Sequence, residues 1–226
     1  MNTVGDPSKW ADLIDSLVPD IVQLVFDAWQ VMPALSPVAL EDPTTKALCR
    51  LLKLNRTAAD LPFRIDTQFV ELDPAAGEDE GRCDIVFSPP INREDIYFCL
   101  ECKRLNVPKS KGVRSCASEY VAFGMLRFVR GQYAPKVRHG GMLGYVLNGN
   151  IDGAIRSVTA AIIRRAADLG MSPATVSAST VQPKNRNMRE TEHRRAQGLG
   201  PLQVHHIFVA NRPNAAIFAR SSARQS

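Results

Sequence analysis

No stretch of the chain approaches the ~18 uncharged apolar residues that a membrane-spanning helix requires, so no span is predicted. The N-terminal run MNTVGDPSKWADLIDSL lacks a basic segment followed by an apolar one, so no secretory signal is read and a cytoplasmic setting is expected. Cysteines are few and odd in number: Cys49, Cys83, Cys99, Cys102 and Cys116. Most sit inside apolar runs, which suits reduced thiols rather than a disulfide framework. There is no low-complexity tract and no internal repeat. Acidic residues become scarce in the second part: residues 101–226 hold 6 Asp/Glu against 20 Lys/Arg, a balance of +14, whereas residues 1–100 hold 17 against 8, a balance of −9. Such polarity suggests a surface that meets a polyanion, or a solvated basic face. What remains is ordinary for a globular chain, with 226 residues, 45% of them hydrophobic and 23% charged, enough for one large domain with a substantial core.

In chain order, residues 7–32 carry Trp10, Leu13, Ile14, Leu17, Ile21, Val22, Leu24, Val25 and Trp29 at helical spacing. Asp6-Pro7-Ser8 is a plausible start, and Pro19 is either a break or a new first turn. This N-terminal helical segment (1–38) is expected to pack on the core or dock a partner, a second copy included. The main α/β domain is expected over 39–226. After a loop at 33–38, LEDPTTKALCRLLKLNR predicts a helix with Asp42 as N-cap, Pro43 in the first turn and Glu41 just before. Three strands follow, at 62–73, at CDIVF and at IYFCLECKRL, joined by the acidic turn 74–81 and the loop SPPINRED. Short connections make them an antiparallel meander. A helix at 114–133, a strand at 141–148, a helix at 151–169 and a last strand, LQVHHIFVA, complete the order. Residues 171–200 are read as a long loop with a short helix near Arg189–Gln197, and ARSSARQS as a tail. The fold class expected is α/β, a mixed sheet of about five strands flanked by helices.

Chemistry concentrates between Arg82 and Arg104. Alternate side chains of a strand face opposite ways, so Glu101 and Lys103 share one face while Phe98, Leu100 and Cys102 share the other. Asp84 lies on the preceding strand. Two carboxylates on neighbouring strands can hold Mg²⁺ together with waters and phosphate oxygens, and a lysine beside them can orient a nucleophile or steady developing charge. A solvated, salt-bridged strand face is the plainer reading of Glu101 and Lys103.

Asp84, a gap of sixteen residues, and then Glu101-Cys102-Lys103 resembles the active-site motif of the PD-(D/E)xK nuclease superfamily, the restriction-endonuclease-like proteins. The helix, three-strand meander, helix and strand of residues 42–148 are similar to that superfamily's core. Cys83 stands where many members have proline. The resemblance implies a restriction-endonuclease-like sheet and a DNA-cleaving hydrolase, in a setting such as phage defence or restriction. It implies Mg²⁺ (or Mn²⁺) on Asp84, Glu101 and the Cys102 carbonyl, with Lys103 as the catalytic lysine. Some members add a glutamate from the first core helix, which makes Glu41 a lesser candidate. A nuclease-like module that binds nucleic acid or a partner without cutting is the second hypothesis.

Lys109, Lys111, Arg114, Arg127, Arg130, Lys136 and Arg138 gather around the helix after the motif and read as a cationic groove for a DNA or RNA backbone, or as a solvated surface. Tyr120 and Glu119 on that helix are candidates to line the site, and Tyr120 fits the core equally well. Cys99 and Cys102 form a C-x-x-C, but three positions apart on a strand they face opposite ways, which favours buried thiols over zinc or redox chemistry. His205 and His206 likewise split between faces, one for the core and one that a site could use. His139, beside Gly140 and Gly141, reads as a loop histidine or one that could touch phosphate.

Overall fold

The computed structural model describes residues 7–72, 74–90, 95–196 and 198–211, with the side chains of 7–10 left out. The helix start at Asp6, the Trp10 side chain, Asp73, loop residues 91–94, Gln197 and the tail from 212 lie outside the described residues. Chain order is α1 (Pro7–Gln30), α2 (Glu41–Ala58), β1 (Arg64–Glu71), β2 (Gly81–Ser88), β3 (Phe98–Leu105), β4 (Val107–Pro108) and β5 (Val113–Arg114). Next come α3 (Ala117–Tyr120), a π-helical segment (Val121–Met125), α4 (Leu126–Arg130), β6 (His139–Val146), α5 (Ile151–Arg164), β7 (Ser177–Ala178), β8 (Met188–His193) and β9 (Leu202–Ala210).

The main sheet has seven strands rather than five, ordered β1-β2-β3-β6-β9-β8-β7. The first three form the expected antiparallel meander, while β3, β6 and β9 run parallel at the centre. Central parallel strands need cover on both faces, which is why these three read as near-continuous apolar runs. One face packs against α1 and α2 and the other against α3, the π-helical segment, α4 and α5. Gly141 on β6 is required by this packing: a Cβ there would lie 2.3 Å from Leu100 and 2.9 Å from Phe98.

Four details depart from the sequence reading. The segment 171–200 is not a bare loop, and its expected short helix is instead β8, paired antiparallel with β9. The strand β8 buries Met188 and Glu190 on one face and Thr191 and His193 on the other, so most of what it buries is polar. Glu190 accepts from the Thr180 N–H and hydroxyl, and His193 bonds with Thr191 and the Leu169 carbonyl. No apolar alternation was available to reveal it. Second, Pro19 neither breaks α1 nor restarts it. A proline inside a helix costs ~3 kcal/mol. The buried Ile14, Val18, Ile21, Val22 and Val25 around it contribute about 1.5–3 kcal/mol each, which outweighs that cost. Third, α2 begins at Glu41, with Leu40 in the N-cap position and no side-chain cap, so Asp42 lies inside the first turn. Fourth, α5 ends at Arg164, earlier than expected.

The apolar side of α1 is consumed inside the fold. Trp29 stacks on Tyr145 at 5.3 Å and donates its indole N–H to the Ala210 carbonyl at 2.8 Å. Arg138 binds Asp12 and Asp15 from the sheet side. No helix among the described residues is long and apolar enough to cross a membrane. Trp29→Ala is expected to lower unfolding stability by about 3–5 kcal/mol in chemical denaturation, as a core truncation does. A loss under about 1 kcal/mol would mean that α1 is only loosely attached.

Candidate functional site

The β2–β3 ladder runs Phe87–Phe98, Val86–Cys99, Ile85–Leu100. One step further the same register sets Asp84 against Glu101, and there the backbone pairing gives way. The Cys102 N–H donates to Asp84 Oδ2 at 2.8 Å, so the carboxylate occupies the opening between the two strands. The faces also switch at this point. Ile85 and Phe87 lie in the α1/α2 layer and Val86 in the other, yet Cys83 joins Val86. Opposite, on β1, Gln68 has φ of +56° and falls between the paired Thr67 and Phe69. A non-glycine residue in the left-handed region is strained backbone of the kind that accumulates at functional sites.

Glu101 is 2% exposed. Its Oε1 accepts from Lys103 Nζ at 2.7 Å and from Arg127 at 3.4 Å, while Oε2 is buried and has no hydrogen-bond partner. Burial pushes the carboxyl up to about 7, against the pull of Lys103 and Arg127. Burial likewise raises Asp84, which the Cys102 N–H and Lys103 oppose. Lys103 Nζ has three contacts: Glu101 Oε1, Glu41 Oε1 at 3.2 Å and the Cys102 carbonyl at 3.1 Å. They match the three donors of an ammonium group. Burial alone would depress Lys103, but Glu101 and Glu41 outweigh it and hold the lysine above its ordinary range. Glu41 also accepts from the Arg104 N–H at 3.1 Å, which ties the first turn of α2 to the end of β3.

The structure therefore brings Asp84, Glu101, Lys103 and Glu41 together. Arg127, read from the sequence as part of a cationic groove, also reaches Glu101, with its side chain 38% exposed. It also bonds the Tyr133 hydroxyl at 2.5 Å, and Tyr133 donates to the Arg82 carbonyl. What brings Arg127 inward is the π-helical segment before it, a rare geometry often found at functional sites. Within it Gly124 packs so closely that a Cβ would lie 2.3 Å from Met142 and 3.6 Å from Glu101 Cγ. A glycine inside a helical pattern was the one sequence signal for this approach.

The other predicted residues separate. Lys109 and Lys111 are exposed at the tip of the β4–β5 hairpin, directly after β3, and Arg130 is exposed at the end of α4. Arg114 pairs with Glu119, Lys136 with Asp95 at 3.9 Å, and Arg138 with Asp12 and Asp15 of α1, so each of these three already has an acidic partner. Cys99 and Cys102 are buried in opposite layers. His205 and His206 are both buried, and burial holds each down at about 3, so both are neutral core imidazoles. His206 bonds Tyr120 and Thr191, and His205 bonds His139, which lies at the start of β6 rather than in a loop. Tyr120 is core.

As for a divalent cation, the donor chemistry suits Mg²⁺, which takes one or two carboxylates plus waters and substrate oxygens, and the orphaned Glu101 Oε2 is an oxygen without a partner. Among the described residues no group of three or more His, Cys, Asp or Glu side chains is arranged to hold a metal by itself. Comparison with known proteins returns no match: neither a family model, nor a curated protein, nor a solved structure matches the chain.

The Glu101 shift carries a signed prediction. A carboxyl raised in the folded state adds stability that is fully present below its ordinary value of 4.5 and is lost as pH rises through about 7. Wild type should lose up to roughly 3 kcal/mol relative to Glu101→Gln across that window. In the metal-free protein the Glu101 carboxyl carbon should titrate near pH 7 by NMR, and higher still in Lys103→Ala. A midpoint near 4.5 contradicts the burial argument.

Proposed function

We propose that the chain is a metal-dependent nuclease that hydrolyses phosphodiester bonds in DNA, with a restriction-endonuclease-like core. The observation that supports this reading best is a buried Glu101 with one uncommitted oxygen, held beside Asp84 in the opening of a strand pair and contacted by Lys103. Asp84, Glu101 and the Cys102 carbonyl are the groups that would hold Mg²⁺ or Mn²⁺, which supplies Lewis-acid stabilisation of phosphate charge when bound. Lys103 keeps its proton and can donate to an attacking water or to phosphate oxygens where charge develops. Glu41 also holds that ammonium, and Arg127 favours the ionised form of Glu101. The β4–β5 hairpin, with Lys109 and Lys111 exposed just beyond β3, suits contact with a phosphate backbone. A cytoplasmic role in phage defence or restriction fits this activity.

A second reading has one specific observation in its favour. Lys103 Nζ is bonded to Glu101 Oε1 and the Cys102 carbonyl, two of the groups assigned to a metal. A site filled by its own ammonium would make the chain a silent nuclease-fold module that binds nucleic acid or docks a partner.

Cleavage of plasmid, linear duplex and single-stranded DNA with Mg²⁺ or Mn²⁺ separates the two. Wild type should cut at least one substrate, and Lys103→Ala and Asp84→Asn should each cut it about 10²–10³-fold more slowly. If wild type and Lys103→Ala cut nothing and retard DNA equally, the enzyme reading fails and the silent module stands.

A further inference from the structure

Helix α2 starts in the site, where Glu41 holds Lys103 and the Arg104 N–H, and then leads away from it. Beyond Asp42 the helix contains no acidic residue, yet it carries Lys46, Arg50, Lys53 and Arg56. Lys46, Arg50 and Lys53 are all exposed and are spaced i, i+4, i+7, so they form one stripe. Like charges at this spacing repel by about 0.2–0.5 kcal/mol per pair, a cost with no return inside the helix itself. The stripe ends at a groove of about 540 Å³ between α2 and the edge strand β1, lined by Arg50, Lys53, Leu54, Arg56, Arg64 and Asp66. Four cations thus face one carboxylate, Asp66, which reaches Lys53 only at 3.9 Å. Leu54 is 67% exposed in the same groove and offers apolar surface to a sugar or base. Protection of an edge strand from aggregation would account for Arg64, but not for three cations on the helix.

We propose that this stripe and groove are a binding track for the phosphodiester backbone of a nucleic-acid strand that extends out of the site. The identity of the polyanion rests on the nuclease reading. From Glu41 to Lys53 the helix rises about 18 Å, which corresponds to about five nucleotides at 3.4 Å each. Contacts of this kind go to phosphates and carry no sequence preference. The track therefore sets the length of strand the protein grips on the α2 side, and the β4–β5 hairpin follows β3 separately.

The test is fluorescence anisotropy with the full chain and labelled 4-mer and 12-mer oligonucleotides, DNA and RNA, in chelator across 50–300 mM KCl. Wild type should bind the 12-mer with a marked salt slope. Arg50→Gln/Lys53→Gln/Arg64→Gln should weaken 12-mer binding about tenfold or more and lower the slope by about 2, at ~0.7 per single-strand phosphate. It should leave the 4-mer and the circular dichroism melt unchanged, while Arg50→Lys/Arg64→Lys keeps the full slope. Equal losses for DNA and RNA mark the backbone as the ligand; a loss confined to one identifies that strand as the source. No 12-mer binding by wild type, an unchanged slope in the triple glutamine variant, or equal competition by poly-glutamate overturns the track. If wild type binds with the expected slope but cuts nothing with Mg²⁺ or Mn²⁺, the nuclease reading fails and the track stands. If the triple variant keeps full slope while wild type cuts, the reverse holds.

Discussion

A carboxylate at 2% exposure is the constraint around which this molecule is arranged. Removing an ionised group from water costs several kcal/mol unless charges and hydrogen bonds replace the lost hydration. Glu101 has only part of that compensation: Lys103 and Arg127 share one oxygen and the other has no partner. The surrounding elements are then explicable as what holds this incompletely satisfied group in place. β3 is central in the sheet and covered on both faces; the π-helical segment presses Gly124 close to Glu101; and α2 delivers Glu41 to the opposite side of Lys103. A fold optimised only for stability would have put a hydrophobic residue at position 101.

The second feature is where the sheet changes character. β3 pairs antiparallel with β2 and parallel with β6, so its two edges obey different hydrogen-bond geometries. The parallel side continues to Leu105, paired with Val146, while the antiparallel side stops at Leu100. In the opening so made, the Asp84 carboxylate takes the Cys102 N–H in place of a backbone carbonyl. This explains how residues of two adjacent strands meet at one point without leaving a donor unsatisfied.

Legibility in the sequence followed the range of the interaction. Strand alternation is local, so the shared face of Glu101 and Lys103, the meander and the opposite orientation of Cys99 and Cys102 could be read directly. Glu41 was accessible only through a resemblance, since 60 intervening positions separate it from Cys102. The contact of Arg127 with Glu101 was not legible because it follows a π-helical segment that no periodicity signals. The strand β8 was missed because it is buried on both faces and its buried positions include Glu190, Thr191 and His193, each satisfied by hydrogen bonds instead of apolar packing. The basic stripe on α2 was hidden by arithmetic. Averaged over residues 1–100 the chain is acidic, and only the fold separates Arg50, Lys53 and Arg64 from the carboxylates that dominate that count.

Lys103 is where these lines meet. Its ammonium is bound by Glu101, Glu41 and the Cys102 carbonyl, which is a three-oxygen environment suited to a cation of either kind. Without another cation present, the lysine is the charge that keeps Glu101 and Glu41 from repelling each other. The Glu101 oxygen left for a further cation is Oε2, so under the proposed metal-dependent reading a divalent ion held there would share the carboxylate charge and weaken the hold of Oε1 on the lysine. Glu41 would then carry more of the hold on Lys103, and its attachment to the Arg104 N–H fixes where that hold is exerted. Under the proposed nuclease reading Glu41 would be the tether that keeps this lysine at the site, which would be a reason for a helix that begins there to begin with an acid.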